Sequence, residues 1–182
     1  MTAETAALSA SMKVETATSE ERLAALFDAH HERLYRLARR LSSNVDDARD
    51  LVQETYLRAA QKLSSVPLGA DREEAWLVRV LTNICRDRWR RQGVRKRFQH
   101  AEHEAITTVQ NADAALIAKD TVWRALQSVA PRRRAILVMC ELEGQTTTSV
   151  ARVLGLSAVS VRWHLSRGRK ELLRLIGRQW ER

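Results

Sequence analysis

The stretch Thr147–Ser166, TTSVARVLGLSAVSVRWHLS, constrains the fold more than any other part of the chain. Val150, Leu154, Leu156, Val161 and Leu165 fall where two short helices must bury a shared face. Between them, Gly155 is the residue type that tolerates positive φ at a tight turn, and Ala151 is small enough for a close helix crossing. Ser157 can N-cap the second helix by accepting a hydrogen bond from a free backbone N–H. That helix then carries Arg162, Arg167, Arg169 and Lys170. The pattern predicts a helix-turn-helix whose second helix lies in the major groove of DNA. Ala-x-x-x-Gly-Leu by itself fits any two surface helices joined by a turn. The turn, the apolar spacing and the Arg-rich second helix together favour DNA contact.

Composition narrows the rest. A chain of 182 residues allows one domain or two small ones. A net charge of +9 points to an anionic partner, nucleic acid or a membrane surface. With 6 Gly and 2 Pro, and Leu, Ala, Arg and Glu common, the chain should be all-helical. Cys85 and Cys140 match no zinc or redox spacing and each sits in an apolar helical pattern, as buried free thiols in a reducing cytoplasm would. No run is long and apolar enough for membrane insertion, and residues 1–20 lack the order of a signal peptide. The Ala/Thr/Ser/Glu content of residues 1–18 suggests a disordered tail.

From Ser19 the pattern becomes helical. Leu23, Leu26, Phe27, His30, Leu34, Leu37, Ala38 and Leu41 recur at helical spacing, with His30 and His31 pointing to different faces. A second helix begins at Asn44 or Asp46 and buries Ala48, Leu51, Val52, Thr55, Ala59 and Leu63. Its Asp47, Asp50 and Glu54 share one exposed face. That acidic face is either solvated or docks a basic partner. Ser64–Asp71 reads as a loop. Arg72–Gln92 forms a third helix with Leu77, Val80, Leu81 and Ile84 inward and Arg79, Asn83, Arg86 and Arg90 along another face. Such a face, with Trp89 near it, suits phosphate contact and base stacking, or is simply solvated. Gly93 should end this helix, and residues 93–114 form a polar linker. Its His100 and His103 lack a third ligand, so no metal site is expected. Helices at Asp113–Val129 and Arg132–Leu142 precede the helix-turn-helix, with Pro131 at a first helical position and Gly168 placed for close packing.

Two helical modules joined by a linker, the second ending in a helix-turn-helix, resemble the extracytoplasmic-function (ECF) sigma factors of bacterial RNA polymerase. Three motifs carry the resemblance, over about Leu23 to Leu175. DDARDLVQETYLRA at Asp46–Ala59 resembles the family's polymerase-clamp-binding helix, and AWLVRVLTNICRDRWRR at Ala75–Arg91 its −10 recognition helix. RRRAILVMCELEGQTTTSVARVLGLSAVSVRWHLSRGRKEL at Arg132–Leu172 resembles its −35-binding module.

The resemblance implies a sigma-2-like helical bundle over residues 19–92 and a sigma-4-like domain over residues 115–176, with a tail at 177–182. It implies that Asp47, Asp50, Leu51, Gln53 and Glu54 dock the β′ clamp helices of core RNA polymerase, the second module meeting the β flap. The loop Ser64–Asp71 would capture a flipped −10 base, assisted by Asn83, Arg86, Asp87 and Arg90. Ser160, Arg162, Trp163, Ser166, Arg167 and Lys170 would lie on the −35 duplex. Arg162 is the candidate for a base edge, and Arg167, Arg169 and Lys170 for phosphates. An anti-sigma factor would hold the chain inactive. The chain departs from the family's usual residues at Ala59-Ala60, Thr148-Ser149, Trp163-His164 and Gly168, which bear on promoter sequence rather than fold.

The implied function is promoter-specific initiation in the cytoplasm, without covalent chemistry or cofactor. The alternative is a helix-turn-helix regulator that never joins polymerase; it would need neither the acidic face nor the Arg79–Arg91 helix. No Ser/His/Asp set, Gly-rich phosphate loop or metal cluster supports an enzyme.

Overall fold

The computed structural model describes the backbone of residues 3–98 and 114–180, and the side chains of 18–92 and 121–177. Its described residues contain helices and no strand. Three helices, α1 (Ala3–Leu41), α2 (Val45–Gln61) and α3 (Ala70–Phe98), make the first module. Four more, α4 (Ala114–Ser128), α5 (Pro131–Leu137), α6 (Thr147–Leu154) and α7 (Ala158–Trp180), make the second.

Local chemistry sets the helix ends. Asn44 caps α2, its Oδ1 accepting from the Asp47 N–H at 2.7 Å. Pro131 opens α5, where a missing N–H costs nothing. Thr146 Oγ1 accepts from Ser149 N–H at the start of α6, and Ser157 Oγ from Ser160 N–H at the start of α7. Gly155 ends α6 at φ +65°. After α5 the chain widens into a π turn over Val138–Leu142, with Glu143 N–H donating to the Val138 carbonyl.

Two boundaries differ from the sequence reading. Helix α1 starts at Ala3, inside the segment expected to be a tail, and α3 passes through Gly93 to Phe98. Both segments are rich in good helix formers. A single Gly costs a helix only about 1 kcal/mol relative to Ala, which its Arg, Gln and Lys neighbours tolerate. The remaining linker residues 99–113, with His100 and His103, lie outside the described residues.

Leu34, Leu37 and Leu41 of α1, Leu51 of α2, and Leu77, Leu81 and Ile84 of α3 fill the first core; Val129, Ile136, Val138, Met139, Val150 and Val161 fill the second. Burying each such side chain contributes about 1.5–3 kcal/mol. Gly168 lets α7 approach α5: a Cβ there would stand 3.1 Å from Leu137 Cδ1.

The sequence left the placement of the modules open; here they are packed together. Arg134 of α5 is 3% exposed. Its guanidinium donates to the carbonyls of Leu41 (2.5 Å), Gln127 and Val129, and to Gln127 Oε1. Those carbonyls terminate α1 and α4, where helix dipoles present negative charge. Gln127 Nε2 donates to the Ser42 carbonyl at 2.8 Å. Glu143 accepts ion pairs from Arg33 (2.8 Å) and Arg40 (3.1 Å), and Arg33 also meets Glu74. Arg79 of α3 reaches the carbonyls of Arg152 and Val153 at the end of α6.

Candidate nucleic-acid interface

Helix α2 turns its acidic residues outward. Asp47 and Asp50 are exposed, with Asp47 held by its cap partner Asn44 at 3.0 Å. Gln53 is also exposed. Leu51 corrects the expected set: at 1% exposure it packs the core and presents no contact surface. One residue on from Asp50, it lies about 100° further round the helix, which turns it into the core.

Glu54 is clasped rather than free. Arg88 of α3 approaches its Oε2 at 2.6 Å and Arg58 its Oε1 at 2.8 Å. Arg88 also donates to the Asp50 carbonyl at 3.4 Å. Burial alone would raise the Glu54 pKa, but Arg88 and Arg58 hold it below the ordinary 4.5. A carboxylate whose folded pKa is lowered contributes stability above its unfolded value, which is lost as pH falls through the lowered one. Glu54→Gln should therefore lower the thermal midpoint at neutral pH by an amount worth about 0.5–1 kcal/mol for a half-exposed pair. Melts from pH 7 downward should show the difference between the two proteins closing below 4.5; a constant difference would mean packing, not charge, is lost.

Beside this ridge lies an open groove of about 660 Å³ between α1 and α2. Phe27, His31, Tyr35, Val52, Gln53 and Tyr56 line it, with Phe27 and His31 stacked at 4.3 Å. Burial raises the Tyr56 hydroxyl to about 12. The spacing of Phe27, His31 and Tyr35, four residues apart, was the signal for this groove in the sequence. His30, on the neighbouring face, is buried and approaches Glu73 at 3.4 Å.

Between α2 and α3 lie a short 3-10 turn at Leu63–Ser65 and Gly69 at φ +104°, and α3 begins at Ala70, inside the expected loop 64–71. Arg22 anchors it through the Val66 carbonyl at 2.6 Å, leaving Leu68 exposed. On α3, Asn83 is half-buried, Arg86 pairs with Asp87 at 3.3 Å, and Arg90 is exposed. Arg79, expected on the same free stripe, is instead engaged with α6. Trp76 packs against the core, whereas Trp89 is exposed.

Helix α7 presents Arg162, Trp163, Ser166, Arg167 and Lys170 to solvent together, with Ser160 half-buried beside them. Arg167 sits 5.8 Å from the Trp163 ring centroid, and the His164 ring meets the indole edge-on at 4.8 Å. Burial, followed by nearby Arg132 and Arg133, lowers the His164 pKa. Arg169, expected at a phosphate, is exposed and meets Glu141 at 2.6 Å. The sequence reading passed over Val159, which is exposed on this surface. Cys85 and Cys140 are half-buried free thiols, each raised by burial. Among the described residues, no cluster of His, Cys, Asp or Glu could hold a metal, and no helix is long and apolar enough to cross a membrane.

The comparisons with known proteins follow the two modules. Residues 26–95 match the family Sigma-70 region 2, and residues 119–172 match Sigma-70, region 4. The chain is 34% identical to the ECF RNA polymerase sigma factor SigM of Mycobacterium tuberculosis, over 84% of this chain and 76% of SigM. It is 34% identical to SigE of Mycolicibacterium smegmatis over 79% of this chain, but spans only 57% of that protein. Its fold is similar to the sigma factor RpoE solved with the anti-sigma factor NepR from Bartonella quintana. There the TM-score is 0.57 at 25% identity, covering 87% of this chain and 96% of that one. It is also similar to CnrH solved with the cytosolic domain of CnrY, with TM-score 0.56, 26% identity, and 85% and 87% covered. Two modules with the helices, order and sequence of sigma regions 2 and 4 place this chain in one family: it belongs to the ECF RNA polymerase sigma factors.

Proposed function

We propose that the chain joins core RNA polymerase in the cytoplasm through the exposed ridge Asp47, Asp50 and Gln53 of α2, and reads the −35 duplex through α7. One observation carries this reading: α7 turns Arg162, Trp163, Ser166, Arg167 and Lys170 outward as one basic surface, while the acidic ridge stands on a different helix. The separation suits two partners of opposite charge, a basic protein helix pair and DNA. The −10 element falls to the loop 64–71 with Asn83, Arg86, Asp87 and Arg90. An exposed loop is suited to holding an extruded base, and nearby arginines offset phosphate charge. Glu54 supports the ridge by tying α2 to α3. The chain forms no covalent intermediate, and needs no cofactor, in this role. The similar RpoE and CnrH were solved with anti-sigma partners, which supports an inhibitory partner here.

The test is run-off transcription with purified core polymerase, with and without the chain. Promoter-specific transcripts that depend on the chain are expected; DNA binding without initiation would favour a simple helix-turn-helix regulator. Two substitutions separate the surfaces. Asp50→Arg reverses an exposed rim charge and should weaken core binding about ten-fold while leaving the fold intact; unchanged affinity would sink the ridge assignment. Arg162→Ala should cost about 1–3 kcal/mol at a single −35 position. A uniform loss across all sequences would mark Arg162 as a phosphate contact.

A further inference from the structure

Helix α7 carries an apolar pair on its most basic surface. Val159 is 67% exposed and Trp163 55% exposed. They lie one helical turn apart and so form one row. Ser157 caps the helix through the Ser160 N–H at 3.1 Å, which fixes Val159 in the first turn. In a helix-turn-helix the first turns of the second helix approach the base edges. Exposed Arg162 adjoins Trp163, and Arg167 stands over its indole at 5.8 Å. The edge-on His164 ring braces the indole from its own helix. The tryptophan is therefore held in a surface whose neighbours attract phosphate, with Val159 ahead of it.

The major groove exposes one apolar group, the C5-methyl of thymine. Arginine and lysine can bind phosphates or guanine, but they do not distinguish that methyl from a hydrogen. A valine and a braced indole do so, because burying a methyl releases water from both partners. We propose that Val159 and Trp163 read thymine methyl groups in the −35 element, complementing the base contact of Arg162. This rests on the sigma reading of α7 above.

The experiment uses holoenzyme assembled from core polymerase and the full chain. Duplexes randomised across the −35 region are selected for binding, and each thymine in the selected sequence is then replaced singly by deoxyuridine. That change removes only the methyl. At one or more positions the loss should be about four-fold, the value of one buried methyl group. Holoenzyme with Trp163→Ala or Val159→Ser should bind the thymine and uracil duplexes alike at the affected position. Trp163→Phe should keep the preference, and Arg162→Ala should leave it in place. Because both side chains are exposed, the variants should melt like the parent protein. Equal binding of thymine and uracil duplexes by the parent, or a preference that survives in both apolar variants, overturns the proposal alone. A holoenzyme that enriches no −35 sequence overturns the sigma reading together with it.

Discussion

Replacing Arg134 with Ala should destabilise the protein by about 3–5 kcal/mol, because several buried neutral acceptors lose their donor at about 1–3 kcal/mol each, less what is regained by no longer burying the charge. For a chain of this size, that corresponds to a fall of roughly 6–20 °C in thermal midpoint. The side chain is 3% exposed and its guanidinium ends α1 and α4 by bonding the Leu41, Gln127 and Val129 carbonyls. Burial pulls its pKa down, which reports the cost of keeping the charge there. Without the guanidinium those carbonyls lose their donors in a place water reaches poorly. Arg134→Lys should rescue little, since one ammonium cannot span both helix ends as a planar fork does. Thermal unfolding of the three proteins side by side checks this. A loss below about 1 kcal/mol for the Ala variant would show that water replaces the guanidinium, as at exposed sites.

Gly155→Val should also destabilise the protein, by a different route. At φ +65° a β-branched residue meets steric strain that glycine does not, worth about 1–2 kcal/mol. A Cβ there would also stand 3.1 Å from Arg79 Cζ, so the guanidinium must move or the turn must open. That guanidinium is the exposed end of a flexible side chain and can yield by a few tenths of an ångström, so most of the cost is the backbone strain. Because Gly155 fixes the angle between α6 and α7, −35 binding should fall along with stability. Gly155→Asn, which tolerates the left-handed region better, should retain more of both. Melting curves and −35 duplex titrations of the two variants decide the matter; equal losses would put the damage in the Arg79 contact and not in the backbone.

The parts of this structure that sequence reveals well are those whose causes lie within one helical turn. Ser157 and Gly155 act on backbone groups three or four residues away in their expected places, Pro131 opens α5 as expected, and Asn44 rather than Asp46 caps α2. Gly93 misled for the converse reason: it resembles a terminator, yet no local partner enforces a left-handed turn, and the helix continues to Phe98. Leu51 lies beside acidic neighbours in sequence but faces the core in space. Arg134, Arg169 and Arg79 resemble every other arginine in a basic chain. Their partners are Leu41, Glu141 and Val153, fixed only once separate helices meet. Long-range guanidinium bonds leave no periodic mark, so they are what the sequence conceals.

Arg79 has one further implication. A guanidinium whose Nε and Nη2 donate to the Arg152 and Val153 carbonyls has fewer of its five N–H groups left for an outside anion. The end of α6 thus occupies part of that side chain on α3, and it is supplied by the same molecule. Its effective concentration does not depend on how much protein the cell contains, because the two are tethered in one chain. Whatever anion approaches Arg79 from outside must share it with that tethered partner, and the share is the same at low and high abundance of the protein.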